Sequence, residues 1–239
     1  MSERPFWYPR SATPQYLGSR VSETGETVRL AAPVRFEDDF LAATLASPWG
    51  TRDTGGALEG FVADGPSGAY ALTLDATNEV QLAGLDFADH RPFVLNQDLL
   101  FEARVRLTVL PTGSVVACIG LCGDHNAAVN TVAESIWFRL DGSGAITVET
   151  DDTANETSQV ATGVTLVANE WAVLRIECED TAAIRFYING TRVASGTTFN
   201  MSTVAALALQ PVCRIGKEAG ATTVGTLQVD YVRVWQARS

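Results

Sequence analysis

Two short segments of this 239-residue chain place carboxylates close together. Glu149, Asp151 and Glu156 lie in the segment VETDDTANE, and a second cluster, ECED, occupies residues 177–180. A pair of carboxylates about 5–5.5 Å apart can cleave a glycosidic bond, one acting as nucleophile and the other as general acid. VETDDTANE, however, has the pattern of a strand end that continues into a loop rich in threonine and asparagine, and no later acid follows ECED in register. We therefore expect both clusters to be solvated and neither to be catalytic.

Other residues with catalytic potential are few. His90 in FADHRPF and His125 in CGDHNAAVN each have an acidic neighbour, and we expect both to make local hydrogen bonds in loops. The chain contains no G-x-S-x-G elbow, no P-loop and no H-E-x-x-H motif. The sequence leaves a Ser–His–Asp set open, although no spacing favours one. The prediction is a protein that is not an enzyme and has no catalytic residues.

The charge balance and the N-terminus exclude several classes of partner. The chain has 28 acidic and 17 basic residues, a formal net charge of −11, whereas binding to phosphate backbones needs a basic surface. No apolar run approaches the ~18 residues of a membrane helix. The first ten residues, MSERPFWYPR, lack the apolar stretch of a secretory signal. We therefore expect no nucleic-acid partner, no membrane partner and no secretion by a signal peptide.

The four cysteines do not form a disulfide framework. Cys118 and Cys122 lie in VVACIGLC, which is typical of a strand, and four strand residues span roughly 13 Å. A disulfide needs Cα atoms within about 7 Å. Cys178 and Cys213 lie in other apolar stretches, so we expect four reduced core residues. Zinc is not expected, because neither histidine has ligand spacing with these cysteines.

The elements that would position these groups are strands. In FEARVRLTV, residues 101–109, every second residue is apolar, which predicts a half-buried strand. IRFYI at 184–188 repeats this pattern, and Asn189-Gly190 then predicts a type I′ hairpin. Asp141-Gly142 predicts another hairpin, and residues 171–178 another strand, whereas 201–209 is either a short helix or a loop followed by a strand. The fold class is all-β, a two-sheet antiparallel sandwich with these side chains buried: Phe101, Val105, Leu107, Ile184, Phe186 and Ile188.

Composition changes near residue 34. Residues 1–34 show no strand or helix period, and prolines recurring through the first part of this segment favour extended backbone. We predict an extended N-terminal arm over 1–34 and one jelly-roll domain over 35–239. A disordered tail is normally poor in aromatic residues, so the arm is expected to dock on its own domain or on a partner through four aromatic side chains: Phe6, Trp7, Tyr8 and Tyr16.

Several motifs carry a family resemblance. FEDDF at 36–40, SPW at 47–49, WAVLRI followed by IRFYINGTRV, and VDYVRVW at 229–235 together resemble the concanavalin A-like lectin/glucanase superfamily, particularly family-16 glycoside hydrolases and laminin G-like modules. The resemblance implies a jelly roll that carries enzymes and binders alike. The E-x-D-x-x-E pattern of the hydrolases is absent. The resemblance also implies a structural calcium at Asp39 and Asp230, and the alternative is pairing of Asp230 with Arg233 or with a backbone group at the sheet edge.

A second resemblance concerns function. FRLDGSGAITVETDD, LQPVCRIGKEAG and VDYVRVWQAR together resemble uncharacterised proteins that are encoded among the structural genes of tailed phages. This implies a virion protein, made in a host cytoplasm, that decorates the capsid through its arm, contacts the major capsid protein or other virion subunits, and forms a homo-oligomer, a trimer rather than a dimer. The alternatives are a carbohydrate-binding module that uses Trp137 and Tyr187, and a glycosidase with a relocated site.

Overall fold

The computed structural model describes residues 33–65, 67–204 and 206–238, together with the backbone of residues 20–21 and 27–28. The arm residues Phe6, Trp7, Tyr8 and Tyr16 lie outside the described residues. Within the described part, the helical content is one turn of 3-10 helix at Val129–Thr131. In chain order the strands are β1 (Arg20–Val21), β2 (Thr27–Val28), β3 (Val34–Asp38), β4 (Gly50–Thr54), β5 (Leu58–Phe61), β6 (Tyr70–Leu74), β7 (Gln81–Asp86), β8 (Phe93–Val94), β9 (Leu99–Val109), β10 (Val115–Cys122), β11 (Glu134–Asp141), β12 (Ala145–Asp152), β13 (Glu156–Thr165), β14 (Ala172–Cys178), β15 (Arg185–Ile188), β16 (Thr191–Val193), β17 (Ala208–Lys217) and β18 (Gly225–Gln236).

Two antiparallel sheets of eight strands each form the sandwich. Sheet I has the order β13-β12-β11-β10-β17-β7-β4, and β8 also pairs with β17. Sheet II has the order β16-β15-β14-β9-β18-β6-β5, and β3 also pairs with β18. The all-β sandwich predicted from the sequence is therefore confirmed. β1 and β2 form a separate antiparallel pair, which the absence of periodicity in residues 1–34 did not predict.

The core lies between the sheets, and β9 shows why the sequence folds this way. Alternate residues of β9 are buried, while the residues between them face outward. Each large apolar side chain removed from water stabilises the fold by about 1.5–3 kcal/mol, so a shift of one residue in register would expose the whole inward set. All six side chains predicted to be buried have exposed fractions of 3% or less: Phe101, Val105, Leu107, Ile184, Phe186 and Ile188.

The predicted turns are also confirmed. Asn189 and Gly190 have φ angles of 49° and 78°, the two left-handed residues that a type I′ hairpin requires between β15 and β16. Gly142, with φ of 60°, follows Asp141 and reverses the chain into β12. Of the two alternatives for residues 201–209, the described residues 201–204 and 206–207 show the loop, and β17 follows from Ala208. All four cysteines are free and buried, as expected. The described residues include no helix long and apolar enough to cross a membrane.

Candidate functional site

The three acids singled out in the sequence meet on the outer face of sheet I. Glu149 and Asp151 lie two residues apart on β12, and Glu156 pairs with Asp151 across the hairpin as the first residue of β13. The expected Thr/Asn-rich loop is therefore only the turn at residues 153–155, because the side chain of Asp152 accepts the backbone N–H groups that close it. With Arg139 from β11, the three acids line a polar hollow of about 190 Å³.

Burial in the hollow disfavours the ionised forms of Glu149 and Asp151. Burial raises the pKa of Glu149, and the guanidinium of Arg139, 3.5 Å from that carboxylate, opposes the rise. Burial also raises the pKa of Asp151, to which the nearby charge of Glu156 adds, while the backbone N–H of Thr153 donates to its Oδ1 at 2.8 Å. The chemistry available is hydrogen bonding to a small polar group. A volume of about 190 Å³ lies below the ~300–1,000 Å³ typical of ligand sites.

A covering loop, residues 123–133, crosses the middle of this face. Arg214 of β17 donates from its two terminal nitrogens to the carbonyls of Asn126 and Ala127, at 2.6 Å each. Arg139 donates to the side-chain oxygen of Asn130 at 2.7 Å. Both arginines are buried, at 5% and 4% exposed. Since a buried guanidinium is stable only when its donors are satisfied, the loop and the two arginines hold each other in place.

A second, smaller hydrophobic cluster lies under the covering loop. Trp137 of β11 is 1% exposed there, and Gly120 lies opposite it on β10, where the two backbones approach closely. A Cβ at Gly120 would lie 2.7 Å from the Cα of Trp137. The indole therefore does not present its face to a ligand in this conformation. The cluster consists of Cys118, Cys122, Val132, Trp137 and Val212.

The start of the covering loop is fixed by a charged network. His125 Nδ1 lies 3.5 Å from Oδ2 of the buried Asp86, and its backbone N–H donates to Asp89 at 2.7 Å. Arg52 Nε lies 2.9 Å from Asp86. Burial lowers the pKa of His125, and the charge of Arg214 lowers it further. These contacts give His125 a role in anchoring the loop.

The outer face of sheet II has a different chemistry, arginines stacked on aromatic rings. The guanidinium of Arg175 lies 4.5 Å from the ring centre of Tyr187, and that of Arg233 lies 4.3 Å from Tyr231. Trp171 is covered by two further guanidiniums, at 4.8 and 4.4 Å. The strand register places seven of the sixteen arginines here, although the chain as a whole is acidic: Arg35, Arg104, Arg106, Arg175, Arg185, Arg192 and Arg233.

Sheet II also carries a hollow of about 500 Å³ that opens to solvent. Arg175, Glu102 and Arg233 are consecutive cross-strand neighbours on β14, β9 and β18, and all three line it. Tyr187 lies beside this hollow through its contact with Arg175, whereas Trp137 lies on sheet I. The two predicted sugar-binding aromatics are therefore on opposite outer faces and are not brought together.

The two acids considered for calcium are paired with arginines. Oδ2 of Asp230 accepts a hydrogen bond from Arg104 at 2.8 Å, so its partner is Arg104 and not Arg233. Asp39 lies 3.7 Å from Arg233. The described residues contain no group of three or more His, Cys, Asp or Glu side chains that could hold a metal ion. As placed, the two carboxylates do not fit a cation site, and calcium stays a prediction without structural support.

Sequence reasoning missed the arginines that organise both faces. Arg139 and Arg214 close sheet I, and Arg175 and Arg233 line the hollow of sheet II. The one signal that could have found them is the basic composition, sixteen arginines to a single lysine, Lys217. Arginine, unlike lysine, stacks on rings and donates through a planar fork, and both uses are seen here.

The two antiparallel sheets stack into a jelly-roll sandwich of the lectin and glucanase class. One outer face is closed by a loop, and the other bears a ligand-sized hollow. A laminin G-like family model, described as the concanavalin A-like lectin/glucanases superfamily, matches residues 75–238. The chain belongs to this superfamily. No curated protein sequence matches it.

Solved structures share the fold at low sequence identity. A protein of unknown function from Shewanella oneidensis MR-1 is 13% identical, with 96% of each chain covered and a TM-score of 0.59. An endo-β-1,4-glucuronan lyase from the fungus Trichoderma reesei is 11% identical, covering 84% of this chain and 94% of the lyase, with a TM-score of 0.60. The carbohydrate recognition domain of Emp47p is 10% identical, covering 85% and 95%, with a TM-score of 0.58. Because enzymes and a recognition domain share this fold, the likeness establishes architecture and not chemistry.

Proposed function

We propose that this protein is a non-enzymatic structural component of a phage particle, which decorates or cements the capsid through its N-terminal arm. The observation that carries the non-enzymatic part is the covering loop. It lies over the sheet I face beside the acids Glu149 and Asp151, leaving a hollow too small for a sugar chain. The resemblance of three segments to proteins encoded among phage structural genes supports the virion part.

The partner under this proposal is the major capsid protein or another virion subunit. Decoration sites lie on symmetry axes of a shell, so we propose a homo-oligomer, a trimer in preference to a dimer. The protein would be made in the host cytoplasm and function in the virion. Phe6, Trp7, Tyr8 and Tyr16 would supply the anchors, each contributing on the order of 1–3 kcal/mol when buried at an interface.

Loading onto undecorated capsids tests the proposal. Full-length protein should co-sediment with capsids, whereas a variant lacking residues 2–30 should keep its β-rich circular dichroism and fail to load. A full-length variant with Phe6→Ala, Trp7→Ala and Tyr8→Ala separates loss of the anchors from loss of chain length. Full loading of the truncated protein would show that the arm is not the anchor, and no loading of the full-length protein would exclude decoration.

A carbohydrate-binding module is the second candidate function. The observation in its favour is the hollow on sheet II, whose volume of about 500 Å³ lies in the range of ligand sites and whose lining mixes charged and apolar groups. A glycan array probed with the full-length protein tests it. Reproducible glycan binding without capsid association would favour this candidate over decoration.

A further inference from the structure

The hollow on sheet II is built from four neighbouring strands. Arg175 comes from β14, Glu102 from β9, Arg233 from β18 and Glu37 from β3, and these residues lie side by side in register. The cross-strand row therefore alternates cation and anion across the floor of one cavity. Regular strand pairing fixes these positions, so the site is largely formed before any ligand arrives.

The two arginines of this row, Arg175 and Arg233, have more N–H donors than their ion pairs use. A guanidinium has five N–H donors in a planar fork that matches a carboxylate. Arg175 lies 3.1 Å from Glu177 through one terminal nitrogen, and its side chain is 33% exposed. Arg233 pairs with Glu37 at 3.0 Å and lies 3.7 Å from Asp39, but these two carboxylates are 52% and 51% exposed. An exposed pair of this kind contributes only about 0–1 kcal/mol, so a ligand carboxylate can replace Glu37.

Stacking holds both guanidiniums in place for such a ligand. Arg175 packs on the ring of Tyr187 and Arg233 on the ring of Tyr231. The ring occupies one face of each guanidinium, while the donors around its edge stay in the plane. An arginine that is already ordered loses less side-chain entropy when it binds.

The rest of the lining suits a polyhydroxylated molecule. Glu102 accepts the hydroxyl proton of Tyr231 at 2.9 Å, and a carboxylate oxygen accepts sugar hydroxyls in the same way. Leu100 and Trp235, which face outward on neighbouring strands, provide an apolar wall that suits the C–H face of a sugar ring. A simple anion would make no contact with this apolar wall, and a neutral sugar would offer no carboxylate to the guanidiniums of the two arginines.

We propose that this hollow binds a saccharide that carries a carboxylate, of the uronic acid type. The ligand carboxylate binds the guanidinium of Arg233 in place of Glu37, Arg175 donates to the sugar from the other side of the row, and Glu102 accepts the sugar hydroxyls. This inference rests on the second candidate function, carbohydrate binding, and names its ligand class and its site.

Calorimetric titration of the full-length protein with two tetrasaccharides of equal length tests the inference. One is built of uronic acids, and the other is its carboxyl-reduced, neutral counterpart. We expect the acidic tetrasaccharide to bind at least about tenfold more tightly, the effect of one charge-assisted hydrogen bond, with an affinity that falls as salt is added. Arg175→Gln and Arg233→Gln should each weaken the acidic ligand by about tenfold.

Arg185→Gln is the matched control, because Arg185 lies on the same face, opposite Glu177, but outside the lining. It should leave affinity unchanged, and thermal melts of all variants should show intact folding. Equal affinity for the two tetrasaccharides overturns the acidic-sugar inference and leaves carbohydrate binding standing, whereas no binding of either overturns both. Equal binding of a polyglutamate peptide, or an equal loss in Arg185→Gln, would show charge attraction without sugar recognition and would also overturn it.

Discussion

Replacing Arg214 by methionine should open the covering loop while leaving the sandwich folded. Arg214 is 5% exposed, and it holds the loop by two hydrogen bonds of 2.6 Å to the carbonyls of Asn126 and Ala127. Methionine keeps much of the side-chain volume but removes both donors and the charge. The two carbonyls belong to the loop, so removing their donors weakens the attachment of the loop and not the strand ladder.

The magnitude follows from those two contacts. A hydrogen bond from a charged donor contributes roughly 1.5–3 kcal/mol, so two contribute about 3–6 kcal/mol. The substitution also removes a buried charge, which offsets part of this lost free energy. Burial disfavours the charged guanidinium, as the lowered pKa of Arg214 indicates. We expect the free energy of loop opening to fall by about 2–4 kcal/mol. At 1.4 kcal/mol per factor of ten, this raises the open population roughly 30- to 700-fold.

The cysteines provide the assay, because two lie under the loop and two lie between the sheets. Cys118 and Cys122 belong to the cluster under the loop, and Cys178 and Cys213 belong to the main core. Burial raises the pKa of Cys118 to about 12, which keeps it an unreactive thiol while the loop is closed. Pulsed alkylation read by mass spectrometry should show the first pair reacting faster in Arg214→Met, while the second pair stays protected.

Two controls separate loop opening from general destabilisation. Arg175→Met removes a half-buried arginine of sheet II and should leave all four labelling rates unchanged. Arg214→Lys keeps the charge but loses the planar fork that spans two carbonyls, so its labelling rates should be intermediate. Unchanged rates at Cys118 and Cys122 in Arg214→Met would refute the reasoning, and so would an equal acceleration at all four cysteines.

Three further substitutions test other contacts. Gly120→Ala forces a Cβ against the backbone of β11 and should lower the free energy of unfolding in urea by about 1–3 kcal/mol; an unchanged urea midpoint would contradict this close approach. Burial and the charge of Arg214 lower the folded-state pKa of His125, against the opposing charge of Asp86. Stability is therefore lost as the pH falls from about 6.5, and His125→Gln should lose less stability over the same range in parallel melts. The protein should release no reducing sugar from β-glucan, laminarin or agarose, and a release abolished by Glu149→Gln or Asp151→Asn would show that the acid cluster is catalytic.

The fold could be predicted because its signals are local. Period-2 alternation along β9 and the Asn189-Gly190 turn each need fewer than a dozen residues to be recognised, and each determines its geometry through sterics alone. The family motifs then supplied the architecture. The short pairing of β1 with β2 was missed, because two-residue strands leave no period to detect.

The candidate sites could not be predicted in the same way, because they depend on contacts that are distant in sequence. Arg214 reaches its loop carbonyls across 87 and 88 residues, and no spacing along the chain indicates this. Trp137 lies between Ile136 and Phe138, and all three are buried, so the apolar run did not reveal which side chain faces outward. Trp137 faces outward from its sheet and is nevertheless fully buried, because the covering loop lies over it.

The covering loop also explains why any ligand site of this protein is expected on sheet II. A ligand that lay across sheet I would have to displace the loop, break the two bonds of Arg214 and expose the cluster around Trp137. That displacement costs at least the roughly 2–4 kcal/mol of the arginine contacts, equivalent to about 30- to 700-fold in affinity. Binding at the open hollow beside Arg175 and Arg233 disrupts only ion pairs with the partly exposed carboxylates of Glu177, Glu37 and Asp39, each contributing about 0–1 kcal/mol. Because the two sheets are of equal size, the lower free-energy cost of ligand access favours a site on sheet II.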